Sequence, residues 1–331
     1  MALASKSLKG FSPVGQFGIL AACTGGGFIL TAILQMVILL AMVKGPLDME
    51  NIQQSMNAMM KDSSNTNVMR LMQVAGTLTL LFIPSVMYLL ITWGRDKFWL
   101  GFNKHINGKQ ILLAFGAIFL ANICAQPLAA LSKQIVAGMP GLFETAERME
   151  NTYNEQIIAM SNLKSPLEFG IAIIIMAFLP ALFEEVFFRG ALQNILERWM
   201  KNPLLAVIVT ALIFSLIHMS IYLFLSRAVL GFVLGLLYVY TRNIWVNIIA
   251  HFINNALAVV QMYTMRGSKI DVSKLDPDVP WWGGILAAIA IAGLFYLLNK
   301  VSIFNREKVL ATEKILLAKA DPFNGFARND V

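Results

Sequence analysis

Phe169-Gly-Ile-Ala-Ile-Ile-Ile-Met-Ala-Phe-Leu-Pro-Ala-Leu-Phe183 is an uncharged, apolar run that leads without a break into Glu184-Glu185-Val-Phe-Phe-Arg189. Together the two stretches decide the fold class. A run of this kind suits a helix crossing the hydrocarbon layer, which is roughly 30 Å thick and takes about 20 helical residues. A charge at that depth costs at least about 2.5 kcal/mol, so the carboxylates face a cavity or a partner rather than lipid. In a chain that is only 14% charged, two adjacent ones mark a functional place.

The rest of the 331 residues agrees: 57% are hydrophobic and the mean hydropathy is +0.67, the composition of a polytopic membrane protein rather than a soluble one. Lipid offers no partner to a bare backbone, so only helices or a closed barrel can span it. The apolar runs are continuous rather than alternating, which selects helices. The expected fold is all-α, a polytopic integral membrane protein built as a bundle of about eight transmembrane helices. The spans read as Gln16 to Val43, with a possible bend at Gly25-Gly26-Gly27, then Leu71 to Gly94, Ile111 to Leu131, Phe169 to Phe188, Pro203 to His218, Tyr222 to Tyr240, Ile244 to Met262 and Trp282 to Leu298.

Sixteen of the 26 Lys and Arg residues fall on one side if the amino terminus is inside. That bias puts both termini in the cytoplasm of a multi-pass protein of the inner (plasma) membrane. The net charge of +7 comes without a dense basic cluster, so no nucleic-acid partner is expected. Cys23 and Cys124 lie within apolar runs and form neither a disulfide framework nor a zinc spacing. Leu20-Ala21-Ala22-Cys23 looks like a lipoprotein cleavage box, but the apolar run continues to Val43, which favours a spanning helix. Four regions follow: helices one to three with long outer loops (1–165), a core carrying the polar motifs (166–263), an outer loop with the eighth helix (264–299) and a cytoplasmic tail (300–331) that looks like a short helix. Of the two long outer segments, Ser132 to Glu168 carries apolar residues at helical spacing (Phe143, Ala146, Met149) and reads either as an amphipathic helix or as a solvated connector. Phe98-Trp99-Leu100 reads as an interfacial anchor.

Within the apolar runs the polar residues are few. Glu185 and Arg189 are i and i+4 and can pair, whereas Glu184 points about 100° away. Glu185 therefore reads as a structural partner of Arg189, and Glu184 is left for chemistry. The competing reading is a helix end at which both carboxylates reach water. The chain has three histidines, and two of them, His218 and His251, fall inside spans. His251 and Asn255 share a helix face, Asn254 borders it and is placed to bond a neighbouring helix, and Phe214 stands one turn before His218 and can wall its ring. A shielded carboxylate is a stronger base than one in water, and a histidine beside it can orient the water it deprotonates. A second histidine and an amide can donate to a developing oxyanion. No serine or cysteine has a clear claim as nucleophile; Ser215, three residues before His218, is a weak one. Hydrolysis of an amide by activated water fits these groups, with no cofactor and no metal. A zinc site made of Glu184, His218 and His251 is the alternative chemistry, although H-E-x-x-H is absent.

Glu184-Glu185-x-x-x-Arg189, Phe214-x-x-x-His218 and His251-x-x-x-Asn255, in this order on successive helices, resemble the CPBP family, which comprises type II CAAX prenyl endopeptidases and related bacterial proteins, some of them bacteriocin-immunity proteins. The resemblance covers about Leu167 to Val260. It implies a metal-independent intramembrane glutamic endopeptidase in which Glu184 and His218 activate water, His251 and Asn255 form the oxyanion hole, and Glu185 and Arg189 support them. The implied partner is a membrane-associated polypeptide, with a C-terminal CAAX-like sequence as one candidate. The other readings are a non-catalytic immunity or scaffold protein, whose polar residues would be interhelical glue, and a transporter, for which matching broken helices are lacking.

Overall fold

A computed structural model describes residues 6–43, 45–161, 163–265 and 279–320. Most of the outer loop expected before the eighth span (266–278) and the end of the expected tail (321–331) lie outside the described residues. Among the described residues all regular structure is helical: α1 (Pro13–Met42), α2 (Met49–Lys61), α3 (Thr66–Thr92), α4 (Gly108–Ala137), α5 (Pro140–Met160), α6 (Pro166–Met200), α7 (Pro203–Ile217), α8 (Phe224–Thr241), α9 (Ile244–Thr264) and α10 (Trp281–Ala320). Seven of them are long and apolar enough to cross a membrane, and the chain is an all-α, multi-pass membrane protein. The segment expected as the fifth span, α7, has 15 residues. It rises only roughly 22 Å, short of the layer's thickness of about 30 Å.

The structure corrects three expectations. The helix carrying the glutamate pair does not end there: α6 continues to Met200, and Glu184 and Glu185 are 9% and 0% exposed. A helix end reaching water is therefore excluded, because the residues that follow (Val186 to Arg198) are themselves buried and carry the helix on through the core. Second, the segment after Lys300 is no separate short helix, since α10 runs unbroken from Trp281 to Ala320. Third, Trp99 and Leu100 are buried core residues rather than interfacial anchors. Asp96 caps a short helical turn that folds Trp99 back onto Trp93, with ring centroids 4.1 Å apart.

Two glycine features explain close packing. The helix α1 passes through Gly25-Gly26-Gly27 without interruption; a Cβ at Gly27 would stand 2.3 Å from the Thr79 carbonyl oxygen of α3. Gly231 and Gly235, one turn apart on α8, let α7 approach: a Cβ at Gly235 would stand 2.7 Å from Val207 Cγ1, and one at Gly231 would stand 3.2 Å from Ala211 Cα. Small residues at this spacing are a usual route to tight helix contact in lipid, where apolar burial gives little drive.

The connectors from α6 to α7 and from α8 to α9 share one grammar. A basic residue, Lys201 or Arg242, takes a left-handed conformation (φ 55° and 51°) and ends the helix. An asparagine, Asn202 or Asn243, then caps the next one with its side-chain oxygen. Asn243 is fully buried, and its amide also donates to Asn103 Oδ1 at 3.0 Å and to the carbonyl of His105 at 3.0 Å. Asn243→Ala is expected to lower unfolding stability by about 3 kcal/mol, the sum of a lost cap and of orphaned acceptors. Denaturant unfolding in micelles measures this, and a loss below about 0.5 kcal/mol would show that the cap is dispensable.

Candidate active site

The site begins on α6, where wide π turns at Ile173–Phe178 and Val186–Gln193 flank the glutamate pair. Such turns occur often at functional places. Residues 185, 189, 193 and 197 lie one turn apart and form a buried polar ladder. Glu185 Oε1 accepts from Arg189 Nη1 at 2.8 Å, and Gln193 Nε2 donates to Glu197 Oε1 at 3.1 Å. Arg189 Nη2 and Gln193 Nε2 donate in turn to the carbonyls of Gly231 and Gly235, at 2.9 and 3.2 Å. The glycines that let α7 close in thus also offer their carbonyls to α6. At the far rung Glu197 pairs with Arg242 at 2.6 Å.

Glu185 has a second partner that its spacing to Arg189 did not reveal. Its Oε1 lies 2.7 Å from His251 Nδ1 on α9. The carboxylate can only accept, so Nδ1 carries the proton and the Nε2 edge of His251 is turned toward Glu184, 3.7 Å from Oε2. His218 is held in the same sense. Its Nδ1 lies 2.7 Å from the Phe214 carbonyl, which fixes the proton there and leaves Nε2 facing Glu184 Oε2 at 3.9 Å. The Phe214 ring walls the imidazole with centroids 4.6 Å apart, and the Arg189 guanidinium stacks 5.1 Å from the same ring.

Glu184, His218, His251 and Asn255 line one cavity of about 250 Å³, together with Gln73 from α3 and Tyr153, Gln156 and Met160 from α5. Glu185, Arg189, Phe214 and Asn254 stand behind it, outside the lining. Asn254 accepts from Asn122 Nδ2 on α4 at 2.6 Å and donates to Asn255 Oδ1 at 3.3 Å. Glu184 Oε2 is buried and has no hydrogen-bond partner among the described residues. Separations of 3.7 and 3.9 Å are too long for direct hydrogen bonds but suit a bridging water. Among the described residues no group of three His, Cys, Asp or Glu side chains is arranged to hold a metal ion.

The outer wall was not anticipated. The segment expected as an amphipathic helix or a connector is the 21-residue helix α5. It is tied to the loop after His218 by Ser220 Oγ donating to Glu150 Oε2 at 3.0 Å, and to the first turn of α8 by Arg227 stacking 4.7 Å from the Tyr153 ring. Arg227 Nη1 also donates to the His218 carbonyl at 3.3 Å. Residues 166–257 match a family described as Type II CAAX prenyl endopeptidase Rce1-like. The matched segment contains all eight residues singled out in the sequence and leaves out α1 to α5, hence the wall that α3 and α5 provide. The chain is also 34% identical over 94 residues to Uncharacterized protein YpbD of Bacillus subtilis (strain 168), a match covering 27% of this chain and 45% of that protein. The chain thus spans less than half the length of this curated relative. No solved structure matches.

Proposed function

We propose that the protein is an intramembrane endopeptidase that hydrolyses peptide bonds with a water activated by Glu184 and His218. The observation that carries this reading is the unpartnered Glu184 Oε2, buried at a cavity wall with two histidine Nε2 atoms at 3.7 and 3.9 Å. Water held there gives a proton to Glu184 as its oxygen attacks the scissile carbonyl carbon. The developing oxyanion is met by Asn255 Nδ2 and by His251 Nε2–H in its doubly protonated form, and Glu184 then returns the proton to the leaving amine. Glu185 and Arg189 are positioning residues, since they orient the ring without lining the cavity.

In this reading 166–263 is the catalytic core. The region 1–165, with three of the spans, walls the site through α3 and α5, 264–299 holds the outer loop and the last span, and 300–331 is the cytoplasmic tail. The protein resides in the plasma membrane; with the short α7 counted as an eighth crossing, which the one-sided Lys and Arg bias favours, both termini lie in the cytoplasm. Its substrate is a membrane-anchored polypeptide, with C-terminal CAAX-like sequences first among the candidates. The test is cleavage of a panel of membrane-anchored peptides, prenylated C-terminal peptides included, by the purified protein in micelles. Metal-independent cleavage is the expected result. Full loss with a chelator, restored by zinc, would establish the metal alternative instead. No cleavage across the panel, together with a cellular phenotype that survives Glu184→Ala, would establish the immunity or scaffold role.

A further inference from the structure

We propose that Asn122 on α4 is a positioning residue that fixes which end of the Asn255 amide faces the cavity; this rests on the hydrolytic reading of that cavity. Asn122 lies outside the Rce1-like segment and does not line the cavity. Its Nδ2 donates to the Ile118 carbonyl at 2.9 Å and to Asn254 Oδ1 at 2.6 Å. Asn254 Nδ2 then donates to Asn255 Oδ1 at 3.3 Å, leaving the Asn255 NH₂ for the cavity.

An amide's oxygen and nitrogen are nearly the same size, so packing cannot choose between its two orientations; only the polarity of its partners can. Here the choice is made at the far end. A main-chain carbonyl has no hydrogen to give, so the Ile118 oxygen requires the Asn122 nitrogen to face it. The second hydrogen of that nitrogen requires the Asn254 oxygen, whose own nitrogen then requires the Asn255 oxygen. The relay has one allowed direction and ends on a donor aimed where an oxyanion develops. Without Asn122, the Asn254–Asn255 pair bonds equally well when both amides are flipped, and Asn255 then presents its oxygen to the oxyanion.

The substitutions order themselves accordingly. Asn122→Ala leaves the two orientations nearly balanced and is expected to lower kcat about 2- to 10-fold at unchanged KM. Asn122→Asp has at most one hydrogen to give where the asparagine gives two, so it draws the Asn254 NH₂ toward itself and favours the flipped pair. It is expected to lower kcat about 10- to 100-fold, close to the loss on removing an oxyanion donor. A merely structural role predicts that each loss of kcat follows a loss of Tm, whereas the relay predicts a loss of kcat in the aspartate variant that its Tm does not account for. The second readout needs no turnover: in protein labelled with ¹⁵N-asparagine, the Asn255 side-chain signals, assigned with an Asn255→Ala control, should shift in both variants. Unmoved Asn255 signals, an alanine variant as damaging as the aspartate, or losses appearing in KM would overturn the relay. If the wild type cleaves nothing while the Asn255 signals do shift, the relay stands and the hydrolytic reading is the part that fails.

Discussion

Glu184→Gln is expected to lower kcat for cleavage of a membrane-anchored peptide by about 10³-fold, the scale of a lost general base. The substitution preserves shape and hydrogen-bonding reach but cannot take a proton from water. Because Glu184 Oε2 has no hydrogen-bond partner among the described residues, no hydrogen bond is lost with it, and removing a buried charge spares a desolvation cost. Thermal unfolding should therefore show a Tm unchanged or raised while activity collapses. His218→Ala should cost about 10²-fold for its part in orienting the water. A glutamine variant that keeps more than a tenth of wild-type kcat would remove Glu184 from the chemistry and with it the glutamic mechanism. An equal fall in Tm and kcat would mean that the carboxylate holds the bundle together, as glue between helices does.

How much of this was legible follows from the range of each interaction. The spans could be read because the length and apolarity of a run depend on local sequence, and so could the Glu185–Arg189 pair, whose geometry is set within one turn of one helix. The Asn254 bond to a neighbouring helix could be anticipated in kind but not its partner: Asn122 and Gln126 are the amides of one apolar run, a visible signal with nothing in the chain to say which helix either meets. The link from Glu185 to His251 crosses 66 residues and depends on the rotation of two helices about their axes, which packing decides. The wall supplied by Tyr153 and Gln156 was hidden for the same reason, since a helical pattern shows that a helix forms and not what it covers. Element ends were misjudged where the apolar pattern faded before the helix did. In α6, Gln193 and Glu197 continue the i+4 series begun at Glu185, so the polar residues that looked like a terminus are rungs of one buried ladder. Gly231 and Gly235 also stood in plain view at the right spacing, and their role emerges only with α7 beside them and Arg189 on the carbonyl.

That ladder sets the largest expected effect on stability. Arg189→Met should lower unfolding stability by about 3–5 kcal/mol, the usual result of leaving one member of a buried ion pair alone. The guanidinium is fully buried and holds Glu185 on one side and the Gly231 carbonyl on the other. Methionine fills much of its volume but supplies neither bond, so Glu185 is left with His251 alone. The pairing, rather than the arginine's bulk, is isolated by the double variant Glu185→Gln/Arg189→Met. Removing both charges should recover at least half of the loss, giving a coupling energy of about 2 kcal/mol in a double-mutant cycle. Activity should not recover with stability, because glutamine in place of Glu185 no longer anchors the His251 Nδ1 proton with a charge, and the ring loses its orientation. A double variant as unstable as Arg189→Met would assign the loss to packing against Phe188 and Phe214. One that regains both stability and full kcat would show that the Glu185–Arg189 pair serves the bundle alone, and would leave His251 to be oriented by other means.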